Sequence, residues 1–207
     1  MSKILLKNIK FLNEVNKFYN ENKNEIIDII LFGSVLKGKE NPRDIDLLIL
    51  FKEKKNLDLS YELKKRLKNF NLDINSKSYN ELFDNTFKAR EAILSEGFSL
   101  IQNKFISSGL GFSNFVLFRY ELKKLSKSYR MRFYYSLYGR GKERGMIKKL
   151  NLIKFSETIL LSPIEHEAEI VNYLDAWKLK YIMFPILIPK RIRELFEGKN
   201  ELIKKIN

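Results

Sequence analysis

The chain has 207 residues, of which 44% are hydrophobic, an ordinary share for a globular protein that excludes disorder throughout. It contains no cysteine, which excludes disulfide frameworks, thiolate metal sites and cysteine nucleophiles. Its 39 lysines and arginines against 25 acidic residues give a net charge of +14. Such a charge fits either a polyanionic partner or the lysine-rich composition of proteins from heat-loving organisms.

The N-terminal segment has no continuous apolar stretch of the signal-peptide type, because Lys3, Lys7 and Lys10 interrupt its apolar residues. No run in the sequence reaches the roughly 18 apolar residues that a membrane span needs. We therefore expect a cytoplasmic protein that does not act on a membrane.

Positive charge is concentrated in the second half of the chain. Residues 1–100 include 18 basic and 15 acidic residues, whereas residues 101–207 include 21 and 10. The glycines and serines of 97–111 make that stretch the most permissive for a boundary. The sequence therefore predicts a first domain over residues 1–100 and a basic α+β domain over residues 101–207.

Strand and helix patterns alternate in the first half. Apolar runs predict three strands, over Ile26–Phe32, Ile45–Phe51 and residues 71–75. Helical spacing predicts a helix before residue 20 and another over residues 59–70. Ser78 and Glu81 form a capping-box pattern that predicts a third helix running to Gly97.

The second half is less regular. β-branched and aromatic runs predict strands over residues 115–122, 158–162 and 180–188. Ser162 followed by Pro163 and Glu165 predicts the start of a helix. Another helical pattern places Met131, Tyr135 and Tyr138 on one face, which we expect to be core.

Gly33, Ser34, Asp44 and Asp46 form the most informative motif. Strand periodicity predicts that Asp44 and Asp46 lie on one face of a strand, about 7 Å apart, so that both carboxylates could bind one divalent cation. Gly33 allows a sharp turn after the preceding strand, and Ser34 can present amide protons and a hydroxyl to a phosphate at the start of a helix. The motif therefore predicts neighbouring phosphate and metal sites.

Phe32-Gly33-Ser34 followed by Asp44-Ile45-Asp46-Leu47 resembles the signature of the polymerase-beta-like nucleotidyltransferase superfamily. The resemblance covers about residues 25–76 and is most similar to the minimal nucleotidyltransferases. The rest of the chain is loosely similar to archaeal proteins regarded as predicted nucleotidyltransferases. The resemblance implies a nucleotidyltransferase α/β (α+β) fold, with a mixed sheet flanked by helices.

The resemblance also implies the roles of individual residues. Asp44 and Asp46 would bind magnesium or manganese that bridges the phosphates of a nucleoside triphosphate, for example ATP, and Gly33 with Ser34 would hold the outer phosphates. Asp73, on the third predicted strand, matches the family's third carboxylate; Asp58 and Glu53 fit the order of elements less well. Transfer to an acceptor hydroxyl would release pyrophosphate.

Three cations lie between the two halves of the motif, and each is either a triphosphate ligand or a solvated loop residue. They are Lys37, Lys39 and Arg43.

Aromatic and basic residues alternate over residues 119–154, which contain 12 basic and only two acidic residues. Cations bind backbone phosphates and aromatic rings stack on unpaired bases, so this composition favours an RNA or DNA acceptor. The candidate nucleic-acid contacts are Arg130, Arg132, Tyr134, Arg140, Lys142 and Arg144.

Two alternatives remain open on the sequence alone. The chain is either an active nucleotidyltransferase or a catalytically inactive binding module that keeps the fold. An active enzyme could also transfer AMP to a protein, in which case no affinity for nucleic acid is expected.

Overall fold

The computed structural model describes residues 5–6, 8–38 and 43–192. The chain divides into two compact units, Met1–Leu110 and Gly111–Asn207. None of the helices within the described ranges combines the length and the apolar character needed to cross a membrane.

The first unit contains a mixed five-stranded sheet. Its strands are β1 (Ile26–Phe32), β2 (Ile45–Phe51), β3 (Leu72–Ser78), β4 (Phe98–Ser99) and β5 (Lys104–Phe105). They are ordered β3-β2-β1-β4-β5, with β2 and β3 parallel and the other neighbours antiparallel. Because β4 and β5 complete this sheet, the first unit extends past the expected boundary at residue 100 and reaches Leu110.

Polar side chains cap the starts of three of the helices around this sheet. The helices are α1 (Ile9–Asn22), α2 (Leu57–Arg66), α3 (Tyr79–Leu82), α4 (Arg90–Glu96) and α5 (Ile106–Gly109). Asn8 and Asn56 accept hydrogen bonds from first-turn amides of α1 and α2. The capping box of Ser78 and Glu81 is present at α3, as the sequence predicts.

Helices cover both faces of the first sheet, because its central strands alternate between two apolar clusters. Leu47 and Ile49 of β2 belong to a core that includes residues of α1 and α2. Leu48 and Leu50 point the other way, to a core that includes Leu82 of α3 and a residue of α4. A mixed sheet flanked by helices is therefore confirmed.

One predicted helix is interrupted. The segment from Ser78 to Gly97 forms α3 and α4 rather than a continuous helix. Between them, the carboxylate of Asp84 accepts hydrogen bonds from the amide and hydroxyl of Thr86, which stabilises a turn in place of helical bonds.

The second unit contains a four-stranded antiparallel sheet. Its strands are β6 (Phe112–Tyr120), β7 (Ile153–Ser156), β8 (Ile159–Pro163) and β9 (Tyr181–Pro189), ordered β7-β8-β6-β9. Its helices are α6 (Lys127–Tyr138), α7 (Met146–Lys149) and α8 (Glu167–Ala176). Rings of Tyr120 on β6, Phe133 on α6 and Tyr173 on α8 pack together, so α6 and α8 cover the same side of the sheet.

The predicted start of the last helix is wrong by several residues. Ser162 and Pro163 end strand β8, and a short 3₁₀ turn over Ile164–His166 precedes α8. The hydroxyl of Ser162 donates to the carbonyl of Pro163, so it does not cap a helix. Pairing of β8 with β6 extends through Pro163 and delays the helix.

Candidate active site

Three strands bring the glycine and aspartate motifs to one end of the first sheet. Since β1 and β2 are antiparallel, Phe32 at the end of β1 pairs with Asp46 near the start of β2. Since β2 and β3 are parallel, Asp46 pairs in register with Asp73. Paired residues on neighbouring strands lie about 5 Å apart and share a face, so the carboxylates of Asp46 and Asp73 lie side by side.

Gly33 directly follows β1 and lies against the carboxylate of Asp46. Its φ of +78° belongs to the left-handed region, which glycine adopts without steric cost. A Cβ built on Gly33 would fall 2.1 Å from Oδ2 of Asp46. The backbone can therefore approach this carboxylate only because residue 33 has no side chain.

Asp46 is a half-buried acid in a field of other acids. Burial raises the pKa of its carboxyl, and the negative charges of Asp44 and Asp73 raise that pKa further. Because neither neighbouring charge favours ionisation of Asp46, a cation bound here would relieve the repulsion among all three carboxylates.

Asn71, which the sequence patterns do not single out, holds the backbone on both sides of Asp44. Its side-chain amide donates to the carbonyl of Arg43 at 2.7 Å. Its own carbonyl accepts from the amide of Ile45 at 2.8 Å. Asp44 therefore lies in a segment fixed from both ends by the residue preceding β3. No local periodicity reveals such a contact, because it depends on strand register.

The donor chemistry of the site fits a hard divalent cation, because magnesium and manganese prefer carboxylate oxygens. Oδ2 of Asp46 lies beside the backbone of Gly33 at the end of the sheet, and the negative charges of Asp44 and Asp73 act on this carboxylate. Within the described ranges, however, no group of three or more acidic or histidine side chains is arranged so that it could hold a metal ion. Asp73 is exposed, and its sharing of a metal with Asp44 and Asp46 stays a prediction.

Ser34 and the candidate cations have different surroundings. Ser34 belongs to a 3₁₀ turn of only three residues, Gly33–Val35, and so does not open an α-helix as expected. Lys37 forms an ion pair with the buried carboxylate of Glu96 at 3.1 Å. Arg43 is exposed, whereas Lys39 lies outside the described residues.

A further acid, Asp28, is buried in β1. It accepts hydrogen bonds from the hydroxyl of Ser99 and the amide of Ile29, both at 2.8 Å. Burial raises the pKa of its carboxyl, and these hydrogen bonds lower it in part. Asp28 thereby ties β1 to β4. An acid inside the apolar run Ile26–Phe32 is the signal that would have identified this residue.

The buried face of helix α6 in the second unit is not the face that the sequence predicts to be buried. Phe133 and Leu137 are its buried residues, whereas Met131, Tyr135 and Tyr138 are 44%, 42% and 36% exposed. The prediction that these three form the core face is therefore wrong. Aromatic residues occur all around this helix, so their spacing alone did not identify the face that packs against Tyr120 and Tyr173.

The exposed tyrosines of the second unit lie beneath cations. The guanidinium of Arg132 lies 5.5 Å from the ring centre of Tyr129, and that of Arg140 lies 4.9 Å from Tyr135. Lys154 similarly lies 5.0 Å from the ring of Tyr138. Such pairs display charge and ring surface together, in the combination that single-stranded nucleic acids bind.

The predicted nucleic-acid contacts differ in accessibility. Arg132, Arg140, Lys142 and Arg144 are exposed. Arg130 is half-buried and donates to the carbonyl of Leu122. Tyr134 is half-buried between the rings of Phe133 and Tyr138.

Comparison with known proteins supports the assignment of the first unit. Residues 13–105 match the family model described as polymerase beta, nucleotidyltransferase. No curated protein matches the chain. The matched region spans the sheet from β1 to β5, including Gly33, Asp44, Asp46 and Asp73. Residues 13–105 of the chain therefore form a nucleotidyltransferase domain of the polymerase-beta-like superfamily.

Proposed function

We propose that the protein is a magnesium-dependent nucleotidyltransferase that moves a nucleoside monophosphate from a nucleoside triphosphate to a hydroxyl of a nucleic acid. The observation that carries the proposal is the contact between Gly33 and Asp46, with Asp44 and Asp73 beside it. It joins a close backbone turn to a group of carboxylates that repel one another. Both features suit a metal-bound triphosphate.

Asp44 and Asp46 would hold magnesium or manganese, which when bound supplies the positive charge that neutralises a triphosphate. Gly33 and Ser34 would position the outer phosphates, since no side chain at residue 33 separates the backbone from Asp46. Arg43, exposed at the start of the acidic segment, would pair with a phosphate oxygen.

Asp73 would orient the acceptor, because it is exposed and lies beside Asp46. A carboxylate oxygen of Asp73 would accept the hydroxyl proton. The hydroxyl oxygen then bonds to the α-phosphorus, and the bond from that phosphorus to the bridging oxygen breaks. Pyrophosphate leaves with the electron pair of that bond. Positioning of these groups accounts for most of the rate enhancement in such a transfer.

The test uses the full chain, α-labelled nucleoside triphosphates, magnesium or manganese, and RNA, DNA and protein acceptors. We expect label to appear on a nucleic acid, and the Asp44→Asn/Asp46→Asn variant to lose transfer at nearly constant side-chain volume. Asp58→Asn, an exposed acid in the first turn of α2, is the matched control and should keep full activity. Absence of labelling with every triphosphate and acceptor would refute the proposal.

A second candidate is a binding module on the same fold. It is favoured by the exposure of Asp73 and by the absence, among the described residues, of a group of three converging acids. It predicts nucleic-acid binding without transfer. Transfer of label to protein instead, with no nucleic-acid affinity, would identify the acceptor as a polypeptide.

A further inference from the structure

The second unit contains an open cleft of about 500 Å³ beside the end of α6. Its lining includes Tyr135 of α6, Tyr173 of α8, Arg144 and Lys149. The cleft lies within a single unit, and none of its residues belongs to the carboxylate site described above. It therefore needs a chemical explanation of its own.

The rim of the cleft is a closed loop between α6 and α7. Gly139 and Gly145 form its neck: a Cβ on Gly139 would fall 2.2 Å from the carbonyl oxygen of Glu143, and a Cβ on Gly145 would fall 2.3 Å from the amide nitrogen of Gly139. Gly139 also has a φ of +93°. Since the two ends of the loop are in backbone contact, the loop holds Arg140, Lys142 and Arg144 in a compact arrangement.

The charge of the cleft is positive. Arg144, on the loop, and Lys149, at the end of α7, are both exposed cations of the lining, against the single carboxylate of Glu143. An arginine can bind two phosphate oxygens through its planar fork, and a lysine adds a point charge. This pair suits a phosphate group rather than a neutral or cationic ligand.

The lining of the cleft also includes aromatic side chains. Tyr135 is 42% exposed, and the guanidinium plane of Arg140 lies 4.9 Å from its ring centre. Ring and guanidinium surfaces both stack on unpaired bases. The lining also includes Tyr173 and Ser136, whose hydroxyls are hydrogen-bonded at 2.6 Å. Burial raises the pKa of Tyr173 to about 12, so its phenol stays neutral at physiological pH.

We infer that this cleft binds one nucleotide of a single-stranded nucleic acid, with a phosphate on Arg144 and Lys149 and its base stacked at Tyr135. The inference deepens the proposed function, on which it rests, by naming where the acceptor strand is held. It also separates the loop cations from Arg130 and Tyr134, which are half-buried elsewhere on α6.

The test is a binding titration that needs no turnover. The full chain is added to a fluorescein-labelled 12-nucleotide oligouridylate, and the Kd is measured by anisotropy at several salt concentrations. Arg144→Ala/Lys149→Ala should weaken binding about ten-fold or more and reduce the slope of log Kd against log salt by roughly 0.7 to 1.4, the loss of one to two phosphate contacts. The charge-matched control Lys123→Ala/Lys127→Ala removes two exposed cations outside the cleft and should change Kd less than about three-fold.

A second pair of variants tests stacking. Tyr129 and Tyr135 are both exposed tyrosines of α6 with an arginine over the ring. Tyr135→Ala should weaken binding about ten-fold, whereas Tyr129→Ala should change it less than about two-fold. Equal losses in the two members of either pair would overturn the inference, because they would indicate a diffuse surface rather than the cleft.

Further measurements show which kind of nucleic acid the cleft binds. They also test this inference and the proposed function independently of each other. Oligothymidylate should bind if the phosphate and base are recognised without the 2′-hydroxyl, and duplex RNA should bind much more weakly because its bases are paired. Asp44→Asn/Asp46→Asn should keep the affinity for oligouridylate. Retained binding without any transfer would refute only the proposed function, whereas transfer with cleft variants that bind normally would refute only this inference.

Discussion

The backbone of Gly33 lies so close to the carboxylate of Asp46 that no side chain fits between them. Gly33 directly follows β1, and Asp46 is the second residue of β2, so this contact fixes how the turn after β1 meets the acidic start of β2. Two separate constraints act on residue 33, its positive φ and the neighbouring oxygen. They can be separated by substitution.

Gly33→Ala should lower stability by about 1 to 3 kcal/mol and disturb the carboxylates, because alanine is strained at φ +78° and its Cβ overlaps Asp46. Gly111→Ala is the control: Gly111 has a φ of +84° but nothing within 4 Å of an added Cβ. It should show the strain alone, about 1 kcal/mol. Urea denaturation measures both, and equal losses would show that the contact with Asp46 carries no cost.

Asn71 should control the geometry of Asp44 through the backbone. Asn71→Ala removes the hydrogen bond to the carbonyl of Arg43 and should cost about 1 kcal/mol or less, since the residue is exposed. If the proposed transfer occurs, the variant should need more magnesium for half-maximal rate. Asn75→Ala, also exposed on β3, should leave that magnesium requirement unchanged. An unaltered requirement in both variants would remove Asn71 from the site.

Much of the first unit could be predicted because its signals are local. Ile26–Phe32 and Ile45–Phe51 are continuous apolar runs, and each forms the predicted strand. The contact between Asn71 and Arg43, and the ion pair of Lys37 with Glu96, join distant segments. Such contacts depend on strand register and helix packing, which the pattern of a single segment does not contain.

The buried face of α6 illustrates a different limit. Apolar and aromatic residues occur on every side of this helix, so its periodicity is weak. The packed face is decided by rings contributed from elsewhere in the second unit, chiefly Tyr120, Tyr173 and Trp177 around Phe133. Here tertiary packing overrides what helical spacing alone indicates.

Replacing individual α6 residues with alanine should show which face of the helix packs into the core. Phe133→Ala removes a fully buried ring and should destabilise the second unit by about 3 to 5 kcal/mol. Tyr135→Ala removes an exposed ring and should cost less than about 1 kcal/mol. Thermal unfolding followed by circular dichroism measures both. A larger loss for Tyr135→Ala would indicate that Tyr135 faces the core.

Asp28 should make the folded chain less stable as pH rises, because its carboxyl is buried. Because burial raises the pKa of Asp28 in the folded chain, the unfolded chain loses this proton first, and stability falls as pH rises through the window above the unfolded pKa. Asp28→Asn keeps an oxygen that can accept from Ser99 and Ile29. It should therefore be more stable than the parent near pH 7, by roughly 1 kcal/mol, with the difference shrinking at pH 4.

Asp84 should contribute to stability with the opposite dependence on pH, which the variant Asp84→Asn tests. The hydrogen bonds from Thr86 lower the pKa of the exposed Asp84 carboxyl, so its contribution to stability is present at neutral pH and lost as pH falls. This variant should be slightly less stable than the parent near pH 7. Urea midpoints at several pH values measure both variants. If Asp28→Asn were less stable than the parent at neutral pH, the prediction for Asp28 would be contradicted.

Lys37 allows a structural role to be separated from a role in nucleotide binding. Its ion pair with Glu96 joins the turn after Gly33 to α4, and the side chain of Glu96 is only 8% exposed. Lys37→Ala should destabilise the chain by roughly 1 to 3 kcal/mol, because it leaves a buried carboxylate without this partner. Adding Glu96→Gln removes the unpaired charge, so the double variant should recover most of the lost stability.

Nucleoside triphosphate affinity of the same variants then identifies the role of Lys37. If Lys37 serves only the ion pair, calorimetry with magnesium and ATP should give near-parental affinity for the double variant. If Lys37 contacts the triphosphate, the double variant should be stable yet bind about ten-fold more weakly, since a charge-assisted hydrogen bond contributes about 1.5 to 3 kcal/mol. We expect the first result, because the buried carboxylate of Glu96 already holds the ammonium group at 3.1 Å. A weakened but stable double variant would restore Lys37 to the nucleotide site.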